Sequence, residues 1–374
     1  MKFILTYSPC FKKYVLKEML AIDYTAYIEH EFADNISLLN TEMNQEDFLN
    51  KLIKNNVIFL KHIAPASISG KLSGELDKDE VILLQEILTN FKKVNLGEKF
   101  AIQARICAGE TQNKSPLSYT AKDLEVFIGT YITNMGGVPT FSDRQIINED
   151  NVNVFSVFIN GNTYYLGNSL SSQNLNFSCD EYRISSHRGK REISRAENKL
   201  TEALAKYKID LGKNGGRALD IGAAPGGWTN VLLQHGFFVD AVDPGDLNPA
   251  LLSNPKVRHY KCKIETIAQA EEFAKEHKYD IIVNDMNIEP EKTAQIMNIL
   301  TPCLKENGLS IVTIKLPGNP EKGISEAISV LSEKFNILKV NNLFHNRQEV
   351  TTLIQKKELK KNKSHEIIEQ ELNI

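Results

Sequence analysis

The sequence has one tryptophan among 374 residues, no Cys-x-x-Cys pair, no long apolar run and no large excess of either charge. Its five cysteines, Cys10, Cys107, Cys179, Cys262 and Cys303, are scattered and odd in number, which argues against a disulfide framework or a cysteine zinc site and fits reduced thiols. The opening stretch MKFILTYSPCFKKYVLKEM meets Pro9 and Lys12 too soon for a signal segment or a membrane span, so a cytoplasmic protein with no membrane partner is expected. No metal requirement follows from the residue pattern. Net charge is −3, with 17 Lys+Arg against 22 Asp+Glu up to Ser185 and 27 against 25 beyond it. Bulk charge therefore gives no support to nucleic-acid binding. A local signal does exist in YRISSHRGKREISR, where Arg183, Arg188, Lys190, Arg191 and Arg195 face the single acid Glu192. Such a run is either a phosphate-binding patch or ordinary solvated surface.

What is present is ordinary globular composition, 42% apolar and 24% charged, in a chain longer than one typical domain. The first sixty or so residues read as strand, helix, polar connection, then FLNKLIKN as helix and VIFLKHIAP as strand. After the polar joint SGKLSGELDKDE, KFAIQARICA alternates like a strand and SYTAKDLEVFIGTYITNMGG has helical spacing closed by glycines. VNVFSVFINGNTYYLGNSL reads as a hairpin turning at Asn160-Gly161. From about Ser186 the pattern changes to an amphipathic helix, ISRAENKLTEALAKY, followed by seven strand signals: RALDIG, FFVDAV, VRHYKC, YDIIVND, LSIVTIK, FNILKVN and EVTTLIQ. Helical patterns separate most of them, which predicts a Rossmann-like α/β domain with a doubly wound, mostly parallel sheet and ligand sites at the carboxyl ends of its strands. The charged tail KKELKKNKSHEIIEQELNI reads as a mobile or peripheral helix.

The stretch RALDIGAAPGGWTN joins the first of these strands to a helix. A phosphate loop needs Gly-Lys-Ser/Thr at its end, whereas Gly226-Gly227 is followed by Trp228. The dinucleotide fingerprint wants a second glycine where this loop has Ala224. A tight turn of small residues remains, suited to an adenosine-bearing ligand without phosphates. Asp243, roughly twenty residues after Gly222, then accepts from ribose hydroxyls. Asp220 orients the loop or meets a charged ligand group, and Trp228 either lines the pocket or packs on a helix face.

LDIGAAPGGWT resembles the S-adenosylmethionine loop of FtsJ-type RNA ribose 2′-O-methyltransferases. The resemblance assigns the cofactor to Asp220, Gly222, Ala223, Pro225, Gly226, Gly227, Trp228, Asp243 and Asp285. That family carries a Lys-Asp-Lys-Glu tetrad. Its first lysine, in S-R-A-x-x-K-L, matches Lys199 in SRAENKL; its aspartate matches Asp285 in VNDM; its second lysine matches Lys315 in TIKLPG; and its glutamate matches Glu349 in RQEV. One departure is Lys263 in YKCKIET, where the family has an acid that reaches the adenine; Ile264 or a backbone amide would take over that contact.

The resemblance implies a SAM-dependent methyltransferase domain over 186–357. In front of it a ferredoxin-like segment over 1–68 and a THUMP-like RNA-binding module over 69–178 are joined through a basic linker, 179–195, and the charged tail spans 358–374. The combination is similar to that of enzymes acting on large-subunit ribosomal RNA, which implies a cytidine target, while THUMP modules also serve tRNA enzymes. Arg188, Lys190, Arg191 and Arg195 would contribute phosphate contacts. Methyl transfer from a sulfonium needs the ribose hydroxyl aligned and its proton removed, and Lys315 is the candidate base or orienter. Asp285 would orient Lys315, Glu349 would steer the hydroxyl or a lysine, and Lys199 would hold the acids or a substrate phosphate. Amine methylation usually shows Asn/Asp-Pro-Pro-aromatic where this chain has NDMNIEP, and neither Cys303 nor Cys262 is placed as a pyrimidine nucleophile. A noncatalytic RNA-binding or ribosome-assembly factor and a protein methyltransferase are the competing readings.

Overall fold

The computed structural model describes residues 1–91, 94–107, 117–140, 152–173, 193–212, 215–268, 273 and 277–358. Arg183, Arg188, Lys190 and Arg191 of the linker, Cys179 and the tail from 359 onward lie outside them. The chain divides into two compact units, Met1–Gly212 with Lys339–Thr351, and residues 213–338 with 352–374.

The first unit opens with β1 (Lys2–Tyr7), α1 (Lys12–Ile22), β2 (Tyr27–Ala33), β3 (Ile36–Asn40), α2 (Gln45–Lys54) and β4 (Leu60–Pro65). These strands form an antiparallel sheet in the order β2-β3-β1-β4. Its core is apolar, with the Phe3 and Phe48 rings stacked at 4.8 Å. Asn44 starts α2 by accepting from the Asp47 amide, and Glu46 and Asp47 in the first turn with Lys51 and Lys54 in the last suit the helix dipole. Where the sequence suggests a polar connection the structure has the hairpin β2–β3. The edge strand β2 exposes Tyr27, Glu29, His30 and Glu31, so it carries no alternating apolar signal.

A second sheet follows, built from β5 (Ile68–Lys71), β6 (Lys99–Cys107), β7 (Val138–Pro139), β8 (Asn153–Asn160) and β9 (Thr163–Leu170), with helices α3 (Leu76–Asn90) and α4 (Ala121–Asn134). The order is β5-β9-β8-β6-β7, β6 running parallel to β7 and β8, and β9 antiparallel to β8 and β5. Thr120 and Asp123 form a reciprocal capping box that starts α4. The β8–β9 turn sits one residue later than the sequence suggests. Asn160 still pairs with Thr163, and Gly161, at φ +59°, takes the first turn position. The unit is completed by α5 (Ala196–Lys206) and the segment Lys339–Thr351.

The second unit alternates β10 (Arg217–Ile221), α6 (Gly227–Gln234), β11 (Phe238–Val242), α7 (Pro249–Leu252), β12 (Val257–Tyr260), α8 (Ile264–Ala268), β13 (Tyr279–Asn284), α9 (Pro290–Leu300), β14 (Leu304–Lys315) and α10 (Pro320–Leu331). Two further strands, β15 (Phe335–Asn341) and β16 (Glu349–Lys356), cross the division along the chain. All seven expected strands form one sheet, ordered β12-β11-β10-β13-β14-β16-β15. The pairs β12–β11, β11–β10, β10–β13 and β13–β14 are parallel. Ala218, Leu219 and Ile221 in β10 and Ile281, Ile282 and Val283 in β13 are buried, the continuous apolar pattern of parallel strands covered on both faces. Chain order reverses between β10 and β13, so their carboxyl ends flank the switch point where such sheets bind ligands.

Among the described residues no helix is long and apolar enough to cross a membrane, and no cluster of three or more His, Cys, Asp or Glu side chains could hold a metal ion.

Candidate functional site

The turn from β10 to α6 lies at this switch point. The amide of Gly222 donates to Val242 O at 3.0 Å, and the amide of Asp285 to Ile221 O at 3.1 Å, so the end of β10 is tied to both neighbouring strands. Gly222 adopts φ +76°, and a Cβ there would lie 3.0 Å from both the Cα and N of Met286. Gly226, at φ +115°, precedes α6. Both positions demand glycine for backbone reasons that a spacing argument alone does not reveal.

Two carboxylates serve this loop. Asp243, half-buried at the end of β11, accepts from the amide of Gly245 at 2.6 Å and from that of Ala224 at 3.2 Å. Each carboxylate oxygen has more than one acceptor site, so Asp243 keeps capacity for a ligand's hydroxyls. Asp220 is buried at 1% exposure. Its Oδ2 accepts from the Thr229 hydroxyl at 2.6 Å, while Oδ1 has no hydrogen-bond partner among the described residues. Burial raises the Asp220 carboxyl to about 7; hydrogen bonds from Thr229 oppose the rise, and the charges of Asp285 and Asp243 add to it. An acid so placed is stabilised by a cationic ligand group, and its orphaned oxygen fits the ammonium-bearing end of S-adenosylmethionine. Of the remaining loop residues, Ala223, Gly227 and Trp228 are buried and Pro225 is exposed. Trp228, at 3% exposure, lies on the packed side of α6. Beyond β12, Lys263 is exposed and Ile264 is buried.

Two ion pairs account for the four residues of the matched tetrad. In the second unit, Lys315 at the end of β14 donates to Asp285 Oδ1 at 2.9 Å, with side chains 16% and 13% exposed. Asp285 directly follows β13, so parallel neighbouring strands deliver both groups to the same end of the sheet. In the first unit, Lys199 of α5 pairs with Glu349 Oε1 at 2.7 Å, with exposures of 17% and 8%. Largely desolvated ion pairs cost more to bury than surface pairs and are weak devices for stability, which makes these two pairs a pointer to chemistry.

Around Glu349 the first unit holds groups that sequence reasoning passed over. Asn346, 2% exposed, donates to Glu349 Oε1 at 3.2 Å. Glu202, fully buried in α5, accepts from the amides of Phe344 at 2.6 Å and His345 at 2.9 Å, and its Oε2 lies 2.8 Å from His345 Nδ1. Glu202 stands three positions after Lys199, which is the only sequence signal that would have drawn notice to it. Asn346 lies in the irregular loop LFHNRQ and carries none. Arg195 is at the start of α5, whereas Arg188, Lys190 and Arg191 lie outside the described residues.

Residues 193–356 match the FtsJ-like methyltransferase family. A ribosomal RNA large subunit methyltransferase M of Alteromonas mediterranea is 32% identical over 175 residues, 43% of this chain and 46% of that protein. Another, of Psychromonas ingrahamii, is 29% identical over 208 residues, 52% and 54% of the two chains. An uncharacterized protein of Methanocaldococcus jannaschii is 25% identical over 326 residues, 84% of this chain and 87% of that one. The chain spans about half the length of the methyltransferase M relatives it matches.

Proposed function

We propose that the chain transfers a methyl group from S-adenosylmethionine to the ribose 2′-hydroxyl of an RNA nucleotide, with a cytidine of large-subunit ribosomal RNA as the target. The observation that carries this reading is the Lys315–Asp285 pair, at 2.9 Å, beside the sheet's switch point within the stretch that matches FtsJ-like methyltransferases. The glycine turn, Asp220 and Asp243 are read as the seat of the cofactor. Bound there, S-adenosylmethionine supplies a methyl carbon already activated by its sulfonium.

The protein's own part is alignment and proton handling. Lys315, which donates to Asp285 Oδ1, is read as holding the hydroxyl oxygen while its proton leaves to water during attack. Glu349 is read as steering the hydroxyl or a lysine and Lys199 as holding the acids or a substrate phosphate, roles taken from the family resemblance and supported by their 2.7 Å pairing. In front, the β-α-β-β-α-β order of the first sheet is read as ferredoxin-like and the five-stranded sheet as a THUMP-like RNA module. Arg188, Lys190, Arg191 and Arg195 are read as phosphate contacts, and the protein as a cytoplasmic one.

Purified protein is incubated with labelled S-adenosylmethionine and RNA from a strain lacking the protein, and alkali-resistant linkages are mapped. Label is expected at one ribose of the large ribosomal RNA, with Lys315→Ala slower by about 10²- to 10⁴-fold. Label confined to tRNA would move the target. Label in protein or on a base, or equal activity of wild type and variant, would overturn the reading.

A further inference from the structure

The tie between Glu349 and the N-terminal sheets has a physical route through the first unit. Lys61, in β4, is 6% exposed and donates to two main-chain carbonyls, Phe344 O at 2.9 Å and Asn346 O at 2.8 Å. From the opposite side Glu202 accepts the amides of Phe344 and His345. A buried ammonium and a buried carboxylate thus grip the same short piece of backbone through charge-assisted hydrogen bonds, which fix geometry more firmly than neutral ones. The chain just ahead is pinned as well. Asn342 N donates to Ile58 O at 2.6 Å, Asn341 Nδ2 to Val57 O at 3.0 Å, and the Ser8 hydroxyl to Asn342 Oδ1 at 3.0 Å. Asn342 Nδ2 donates onward to Glu349 O at 2.7 Å, and Asn346 Nδ2 to Glu349 Oε1. Arg105, from β6 of the second sheet, donates to Thr6 at 2.6 Å and stands 5.9 Å from the Phe344 ring centroid.

We infer that Lys61 is a positioning residue for Glu349, so that the first N-terminal sheet is part of the seat of the catalytic carboxylate as well as a platform in front of the catalytic domain. The inference rests on the reading of Glu349 as a group that acts in methyl transfer. Lys61 itself touches no substrate in this scheme. Its two hydrogen bonds set the path of 344–346, Asn346 hangs from that path, and Asn346 holds the carboxylate oxygen that pairs with Lys199. A carboxylate displaced by even an ångström aligns the hydroxyl less well, and the loss falls on the rate of the chemical step in place of binding.

The test is a double-mutant cycle on the full chain with Lys61→Met, which keeps the stem and removes the donors, and Glu349→Gln, assayed by single-turnover methyl transfer to RNA from a strain lacking the protein. Lys61→Met is expected to slow transfer about tenfold in the wild-type background and less than about twofold in the Glu349→Gln background, with binding of S-adenosylmethionine and RNA within about twofold of wild type. Lys61→Arg, which can still donate to both carbonyls, should recover most of the rate. If Lys61→Met shows no single cooperative melt, the cycle is run with Lys61→Gln, which retains one donor group. Equal slowing in both backgrounds, or a loss confined to RNA affinity, would overturn the inference. Absence of ribose methylation by the wild type would instead defeat the functional reading beneath it.

Discussion

Asp220 is a single side chain whose burial costs the fold stability. Its carboxyl is raised by burial to about 7, far above the roughly 3.9 of an unfolded aspartate. The folded state therefore holds a proton that the unfolded state has lost between about pH 4 and 7. Stability contributed by the protonated acid is complete below pH 4, declines through that window and levels off above 7. Asp220→Asn keeps an acceptor for Thr229 and removes the titration. In urea denaturation without cofactor, the variant should gain on wild type by up to about 4 kcal/mol as pH rises from 4 to 7. Parallel stability profiles across that window would show that the acid is ionised in the fold and that its orphaned oxygen has solvent. The cost makes sense if a cationic ligand is what compensates it.

At the scale of one element, the turn between β10 and α6 is built to a single backbone shape. Gly222 sits at φ +76° with the Met286 backbone where a side chain would go, and its amide is spent on Val242 O. Gly222→Ala must accept a left-handed alanine and push β13's end aside, a combined cost of roughly 1–3 kcal/mol. Calorimetry should show a melting temperature several degrees lower and weaker binding of S-adenosylmethionine. A variant that melts and binds like wild type would mean that the turn yields more easily than its contacts imply. The glycines of this loop were legible as a turn from their spacing. The particular demand on Gly222 was not, because it comes from Met286, a residue sixty-four positions later.

For the whole molecule, a boundary at Ser186 and the grouping of the chain into compact units divide it at different places. Lys339–Thr351 clusters with Met1–Gly212, and its backbone is held by Val57, Ile58 and Lys61. A fragment covering 186–374 loses every one of those partners. Hydrogen exchange at the amides of Asn342 to Asn346 should be faster in the fragment than in the full chain, since those groups would open locally without global unfolding. Equal exchange in the two would show that Glu202 and Asn346 hold the segment without help from the N-terminal sheets.

The sequence by itself determined the strands of the seven-stranded sheet and the glycine turn, and its resemblance to a known family singled out Lys199, Asp285, Lys315 and Glu349 as candidates. The strands and the turn are written in local pattern: continuous apolar runs for buried parallel strands and small residues at a strand-to-helix turn. It did not reveal β2, because an exposed edge strand has no apolar face to alternate, and it passed over Glu202 and Asn346, whose importance lies only in what they face. Tertiary structure alone decided that Lys199 pairs with Glu349 and Lys315 with Asp285, and that Lys61 reaches carbonyls 283 and 285 residues away. Pairings of this kind depend on where folding brings distant backbone and side chains together, and no periodicity in the sequence records that distance.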